Sequence, residues 1–311
     1  MGMMLGLFAA VLVLVVLNVP IAVALGVVAV VAMVSSHGLD ILPNLAVVTY
    51  NGATSFPLLA IPLFILAGAI MNASGISQRL IAFATSLFGW IRGGLAHVSI
   101  GASLFFAEIS GSAVADVAAL GSILIPGMKS KSYPAPLAAA VMSSAATLAV
   151  IIPPSIPMIL YAVMAETSVV QLFVAGIVPG IIGGVGLMAV AYWFARRYNL
   201  PVEEKLQWAR VKRTFREAFW AFTLPMIILG AIFGGIVTAT EGAAMAVIAA
   251  LFIGLAIYRE LDLRELKKAM IDGGVQTAVV MLLVATRSIT TAVCTPPSIS
   301  AFHSVARSSW R

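Results

Sequence analysis

Apolar stretches long enough to cross a bilayer recur along this chain from its start almost to its end. A spanning helix needs about 20 such residues to cross a hydrocarbon core of roughly 30 Å. The sequence offers about six or seven of these stretches, and a signal peptide accounts for only one of them. The pattern predicts an all-α polytopic membrane protein.

The composition excludes a soluble domain. Of the 311 residues, 61% are hydrophobic and 10% are charged, whereas soluble domains carry about 25% charged residues. The net charge of +6 comes from Lys and Arg in short loops, without the basic surface that binds nucleic acid. The single cysteine, Cys294, and three scattered histidines predict neither a disulfide nor a cysteine-based zinc site.

The first part of the chain contains two apolar stretches and one amphipathic segment. Residues 3–34 are interrupted at Asn18-Val19-Pro20, which is either a kink or a tight turn between two helices. A connection at 41–52 leads to the second stretch, 55–71. Residues 76–92 carry apolar side chains at helical spacing, which predicts an interfacial helix at the membrane surface. Further spans are predicted at 171–196, 218–237 and 242–257.

Residues 93–128 are apolar but broken in the middle at Ser110-Gly111-Ser112. Each arm has about 16 residues, or about 24 Å of helix, which is shorter than the hydrocarbon core. Arg92 precedes the interval, Lys129 and Lys131 follow it, and basic residues mark cytoplasmic loops. Two ordinary spans are possible, but a re-entrant hairpin with its tip at the break fits better.

Residues 134–163 are apolar but contain Pro153, Pro154 and Pro157 within five residues. Proline removes a backbone donor and pushes the preceding residue out of the helical region. The segment is therefore predicted to form two half-helices with an unwound middle.

The distribution of charge supports this topology. If 93–128 is a hairpin with both ends inside, every Lys and Arg before Arg287 falls on one side of the membrane. The basic connection 197–216 is then a cytoplasmic loop, and the turn at Glu241 lies outside.

The last part of the chain departs from the membrane pattern. A charged amphipathic segment, 259–272, precedes an apolar run at 275–286, and Arg287 interrupts this helix after about twelve apolar residues, too few to cross. Residues 287–311 are either a genuine polar tail or, as we interpret them, an aberrant tail left by truncation or an altered reading frame.

A hairpin tip and an unwound helix at membrane depth need polar partners, because lipid offers no hydrogen bonds. Carbonyl and hydroxyl oxygens suit a small cation, and the N–H groups at a half-helix N-terminus attract anions. The candidate cation ligands are Ser110, the carbonyl of Gly111, Ser112, and Ser143, Ser144 or Thr147. The alternative role for these hydroxyls is hydrogen bonding between helices.

Two carboxylates, Glu108 and Asp116, flank the predicted tip. Carboxylates within the membrane are costly and usually functional, so these residues could bind a cation, carry a proton or cap the second half-helix. Catalysis by the pair would need a water-accessible cleft, and no other feature indicates an enzyme.

Six motifs follow one another along the chain: LNVPIA (17–22), FPLLAIPLFILAG (56–68), RGGLAHV (92–98), SGSAVAD (110–116), GSILIP (121–126) and IIPPSIP (151–157). In order and spacing they resemble the large membrane subunit of TRAP (tripartite ATP-independent periplasmic) transporters. The likeness extends from near Met1 to about Thr286. Glu108 stands where a smaller residue is more usual in that family.

The resemblance implies an elevator-type secondary transporter with two inverted repeats, each containing a re-entrant hairpin and a broken helix. Residues 1–196 are the first repeat and 217–286 the start of an incomplete second one. Thr295-Pro296-Pro297 echoes a motif of the second repeat but comes too early, and we interpret it as coincidence. Sodium is implied as the coupling ion, with no other cofactor. Its implied ligands are Ser110, Gly111, Ser112, Ser144 and Thr147, and the implied substrate-binding residues are Asp116, Pro153, Pro154 and Ser155.

The same resemblance implies partners and a location. These are a small membrane subunit, a periplasmic binding protein and an organic-acid substrate, in the cytoplasmic (inner) membrane of a bacterium or archaeon. No residue identifies which organic acid is carried. The rival hypotheses are a non-transporting membrane scaffold or defective fragment, and an ion channel.

Overall fold

The computed structural model describes residues 2–38, 40, 42–110, 113–202 and 206–294. These residues form helices and turns, with one isolated bridge between Arg92 and Val202. The α-helices are α1 Gly2–Val16, α2 Ile21–His37, α3 Leu42–Ala53, α4 Ala60–Ala73, α5 Ile76–Phe88, α6 Gly94–Ser110, α7 Ala113–Ser130, α8 Ala135–Ala146, α9 Leu148–Ile151, α10 Ile156–Met164, α11 Val169–Arg197, α12 Trp208–Phe233, α13 Ala239–Phe252 and α14 Leu263–Cys294. A 3-10 turn, Phe56–Leu59, precedes α4, and a π-helical turn, Ile253–Tyr258, extends α13.

Five helical segments in the described part of the chain are long and apolar enough to cross a membrane, and a bent pair makes a sixth. The five are Phe56–Ala73, Val169–Arg197, Trp208–Phe233, Ala239–Tyr258 and Leu263–Thr286. The bent pair joins Ala135–Ile151 to Ile156–Met164. The prediction of an all-α polytopic membrane protein is confirmed.

The chain divides into two compact units, Met1–Ser55 with Val275–Arg311, and Phe56–Gly274. In the first unit, α1 and α2 are separate helices that contact each other. Asn18, between them, has φ 63°, a left-handed conformation that asparagine adopts more readily than most residues. Of the two alternatives at Asn18-Val19-Pro20, the turn between helices is therefore correct.

In the second unit, α4 and α13 run parallel to each other. At one end, the hydroxyl of Thr240 donates a hydrogen bond of 3.1 Å to the carbonyl of Phe56. At the other end, a Cβ placed on Gly254 would lie 2.9 Å from the Cβ of Ser74. The predicted topology requires this arrangement, since both spans run from outside to inside.

The predicted amphipathic helix is α5, and its apolar side packs against protein. Phe83 lies in a cluster of aromatic rings, with its centroid 5.8 Å from that of Phe105 on α6 and 5.2 Å from that of Phe222 on α12. Ile76 and Leu80 on the same face are almost fully buried. The membrane-surface location of α5 stays a prediction.

The second half of the predicted cytoplasmic loop 197–216 is helical, because α12 begins at Trp208; the cytoplasmic location stays a prediction. Val211, Thr214 and Ala218 recur at helical spacing and are buried, while the basic residues between them are exposed. Thr214 also shares a hydrogen bond of 2.7 Å with Ser86 on α5. Side-chain packing on one face thus extends the helix into a segment that composition alone marks as a loop.

The predicted interruption at Arg287 is wrong. The charged segment and the apolar run form one helix, α14, which continues through Cys294, and its part from Leu263 to Thr286 is a candidate span of 24 residues. Backbone hydrogen bonding does not require every residue of a helix to be apolar, so the charged first turns add length to the apolar run. Residues 295–311 of the predicted tail lie outside the described residues.

Candidate functional site

The interval 93–128 forms a helical hairpin. Its arms are α6, with 17 residues, and α7, with 18. A Cβ placed on Gly127 would lie 4.0 Å from the Cδ1 of Leu95, so the start of α6 lies beside the end of α7. Residue 111 is midway between these two positions, as the predicted tip requires. Gly111 and Ser112 themselves lie outside the described residues, Ser110 ends α6, and the depth of the tip in the membrane stays a prediction.

The interval 134–163 is a broken helix, as predicted. The half-helices on either side of the break are bent by 44°. Ile152 (φ −82°, ψ 127°) and Ser155 (φ −126°, ψ 129°) are extended, and the Pro153–Pro154 peptide bond is cis. The prolines place the break at the predicted position.

The break is buried and presents backbone oxygens without donors. All four residues from Ile152 to Ser155 are buried, and Ser155 donates its hydroxyl to the carbonyl of Val150 at 2.7 Å. Among the described residues, no hydrogen-bond donor reaches the carbonyls of Ile152, Pro153 and Pro154. Buried carbonyls without partners are costly, and a bound cation would satisfy them.

The carbonyls of the break favour a cation, whereas the start of α10 favours an anion. The side chain of Ser155, the N-cap residue, donates its hydroxyl to the carbonyl of Val150 and accepts no capping hydrogen bond from the first turn of α10. In the first turn of α10 the N–H groups of Ile156 and Met158 are open to an anion, which the helix dipole also favours. Pro157, between them, has no N–H. The ring of Pro154 lines a small apolar cavity with Phe64, Met71 and Leu224, so Pro154 also anchors the break by packing.

The predicted hydroxyl ligands lie on the half-helix that leads into the break. The hydroxyl of Thr147 donates to the carbonyl of Ser144 at 2.7 Å, and that of Ser143 to Ala140 at 3.1 Å. Each hydroxyl proton is thus directed to the helix, which leaves the oxygen lone pairs free for a cation. Ser144 is half-buried beside them.

The structure describes the side chain of only one of the two predicted carboxylates, Asp116. Asp116 lies in the first turn of α7 and is fully buried, a position in which a negative charge is favoured by the helix dipole. The three predicted roles of Asp116 all stay predictions. The side chain of Glu108 lies outside the described residues.

Two glycines on α11 border the break and were not predicted as site residues. A Cβ on Gly176 would lie 2.5 Å from the carbonyl oxygen of Ile151, and one on Gly180 would lie 2.6 Å from the Cγ1 of Ile152. The four-residue spacing of glycines in α11, typical of close helix packing in membranes, is the signal that could have identified them.

A discontinuous helix with a buried break beside a helical hairpin, among membrane-spanning helices, is characteristic of secondary transporters. Residues 8–304 match the family described as "Tripartite ATP-independent periplasmic transporter, DctM component". The chain belongs to this family, which confirms the resemblance seen in the sequence. The match extends beyond Thr286, where the likeness was predicted to end.

Relatives from three bacteria support the same conclusion. The 2,3-diketo-L-gulonate TRAP transporter large permease protein YiaN of Escherichia coli is 44% identical over 239 residues, 77% of this chain and 56% of that protein. The C4-dicarboxylate TRAP transporter large permease protein DctM of Pseudomonas aeruginosa is 41% identical over 260 residues, 84% and 61% respectively. The isethionate TRAP transporter permease protein DctMQ of Oleidesulfovibrio alaskensis is 40% identical over 278 residues, 88% and 43%. The chain spans about half the length of these relatives.

Proposed function

We propose that the chain provides the first hairpin and broken helix of the large subunit of a sodium-coupled transporter that imports small organic acids. The observation that carries this proposal is the buried break at Ile152–Ser155, which offers free carbonyls to a cation next to free N–H groups for an anion. Membership in a family of transporters, and the absence of any enzyme among the named relatives above, support transport over catalysis.

The names of the relatives support an anionic substrate. They refer to 2,3-diketo-L-gulonate, C4-dicarboxylates and isethionate, all of which carry a carboxylate or sulfonate. By analogy, the partners are a small membrane subunit and a periplasmic binding protein, in the inner membrane, and the movement is of the elevator type.

The proposed sodium ligands are the tip residues Ser110, Gly111 and Ser112, together with Ser144, Thr147 and the free carbonyls of the break. Asp116 lies on the second arm of the same hairpin. The substrate acid group binds at the start of α10, with Ser155 and the Pro153-Pro154 backbone beside it. Because each charge is costly in a low-dielectric site unless the other is near, bound sodium raises the affinity for the anion, and by linkage the anion raises the affinity for sodium.

Sodium binding by this chain is testable in detergent. We expect NaCl, compared with KCl at equal ionic strength, to raise the apparent melting temperature, because a ligand at 100 times its Kd stabilises the bound state by about 2.7 kcal/mol. Thr147→Val keeps the shape of the side chain and removes one oxygen, so it should reduce the sodium-specific shift.

The matched control is Thr223→Val. The hydroxyl of Thr223 also donates to its own helix, at 2.8 Å to Phe219, but it lies on α12 and is not a proposed ligand, so its sodium response should equal that of the wild type. Equal stabilisation by potassium and sodium in the wild type would contradict the proposed site.

Reconstitution with the partner subunits separates the carrier from its rivals. A carrier takes up a labelled organic acid only with an inward sodium gradient. Sodium binding without uptake would favour a membrane scaffold, and ionic current without uptake would favour a channel.

A further inference from the structure

We propose that Gly176 and Gly180 of α11 are positioning residues that hold the break of the broken helix in its ion-binding geometry. The inference rests on the proposed function and adds residues outside the predicted site. Both glycines are buried. Gly176 faces Ile151, which immediately precedes the break, and Gly180 faces Ile152, its first residue.

Gly176 packs against the backbone of Ile151 and so limits its position. A Cβ on this glycine would lie 2.5 Å from the carbonyl oxygen of Ile151, which is too close for any real contact. The Cε of Met158 on α10 would lie equally close, but that flexible side chain can move. The oxygen of Ile151 belongs to the backbone, so no rotamer change can relieve its collision. Any side chain at position 176 must therefore displace the last turn of α9, and with it the extended segment that begins at Ile152.

Gly180 limits the position of the next residue, Ile152, by packing against the Ile152 side chain. A Cβ there would lie 2.6 Å from the Cγ1 of Ile152 and 3.5 Å from its Cδ1. This collision is with a side chain, so truncation of Ile152 removes the obstructing atoms and leaves its carbonyl in the chain.

The same face of α11 also contacts the hairpin. One turn beyond Gly180, a Cβ on Gly184 would lie 2.9 Å from the Cδ2 of Leu104, on arm α6. One helix therefore touches both the break and the hairpin, which together form the proposed site. Because the glycines contribute no side chain, α11 packs directly against both the break and the hairpin.

The contacts around the break leave only some of its carbonyl oxygens available to a cation. The oxygen of Val150 accepts the hydroxyl of Ser155, and that of Ile151 points at Gly176, whose Cα supplies only a weak donor. The carbonyls left open are those of Ile152, Pro153 and Pro154. Displacing Ile151 would change the direction of these three oxygens.

The test is the sodium concentration that gives half-maximal stabilisation of the full chain in detergent. Changes behind a ligand commonly cost about 10-fold or more in metal affinity, so we expect Gly176→Ala and Gly180→Ala to raise this concentration by about 10-fold. Adding Ile152→Ala to Gly180→Ala should restore the response in part, whereas adding it to Gly176→Ala should not. Gly186→Ala is the control on the same helix, because a Cβ there meets nothing within 4 Å.

A second readout is independent of sodium. Hydrogen exchange at the amide of Ile152, which donates to the carbonyl of Leu148 at 2.9 Å, should become faster in Gly176→Ala and Gly180→Ala but not in Gly186→Ala. If wild type shows no sodium response, the proposed function is wrong, and faster exchange would still support the positioning role. Unchanged exchange and unchanged sodium affinity in folded Gly176→Ala and Gly180→Ala would overturn the inference.

Discussion

Arg79 shows how a single charged residue is used at the predicted cytoplasmic end of the second unit. Its guanidinium donates two hydrogen bonds to Glu260, at 2.6 and 2.9 Å, and one to the carbonyl of Gly75 at 3.0 Å. It also lies over the ring of Tyr258, with its central carbon 3.9 Å from the ring centroid. These contacts join the α4–α5 turn to the connection between α13 and α14, beside a polar cavity of about 600 Å³.

The ion pair predicts a pH-dependent contribution to stability. The Arg79 guanidinium holds the pKa of Glu260 below its usual value of 4.5, mainly through the hydrogen bond, although burial acts in the opposite direction. A lowered pKa stabilises the folded state above the unfolded-state pKa, and that stabilisation is lost as the pH falls through the folded-state pKa.

We therefore expect Glu260→Gln to lower the apparent unfolding free energy by up to about 1 kcal/mol at neutral pH, a modest value because Glu260 is half exposed and screened by solvent. Thermal unfolding at several pH values should show the two proteins converge below about pH 4.5. The control is Arg213→Met, which removes the exposed i,i+4 pair with Glu217 and should cost only a few tenths of a kcal/mol. A difference that does not change with pH would contradict this assignment.

Two elements, α12 and α14, extend beyond the lengths predicted from composition. Each begins in a charged segment and continues into an apolar one. α14 carries Gly273-Gly274 at the junction, where a break would be expected if the two parts were separate. Because α14 is continuous, Gly274 is an ordinary helical residue. A Cβ there would meet nothing within 4 Å.

A continuous α14 predicts that Gly274→Ala stabilises the protein. Alanine is favoured over glycine by about 0.8–1 kcal/mol within a helix, so we expect a higher apparent melting temperature. Gly235 is the matched comparison: a Cβ there also meets nothing within 4 Å, but its φ is +70°. Gly235→Ala should destabilise by about 1–2 kcal/mol, and destabilisation by Gly274→Ala would argue against a continuous helix.

At the scale of the whole molecule, contacts within the second unit support the charge-based topology. Gly93 donates its N–H to Pro201 at 3.0 Å, which places the start of α6 beside the end of α11. Tyr258 donates its hydroxyl to the carbonyl of Glu217 at 2.9 Å. Segments predicted to share the cytoplasmic side thus contact one another, although they are far apart in sequence.

Single-cysteine labelling in a Cys294→Ser background tests the topology. With a membrane-impermeant maleimide, Arg92→Cys and Lys131→Cys should react from the same side of the membrane, and Thr167→Cys from the other. Reaction of Arg92→Cys and Lys131→Cys from opposite sides would rule out the hairpin. Gly111→Cys reacting as fast as Thr167→Cys, from the same side, would indicate two full spans rather than a re-entrant hairpin.

The sequence by itself determined the features that depend on local chemistry. Pro153 and Pro154 place the break because they lack a backbone donor and restrict φ. The length of each apolar stretch identifies most spans, because transfer into lipid depends on the residues of that stretch alone. The hairpin arms and the residues of the break could be predicted in this way, and the family was identified from the resemblance of the sequence motifs. Glu108, Gly111 and Ser112 still have only their predicted roles.

Only the tertiary structure decided which atoms of those residues are available. The hydroxyl of Ser155, a predicted substrate contact, donates its proton to Val150, and the start of α12 depends on burial of Val211 and Thr214. The role of Gly176 requires knowing that Ile151, 25 positions earlier, lies against it. Such facts come from packing between distant segments, where the position of one backbone determines how much space another has.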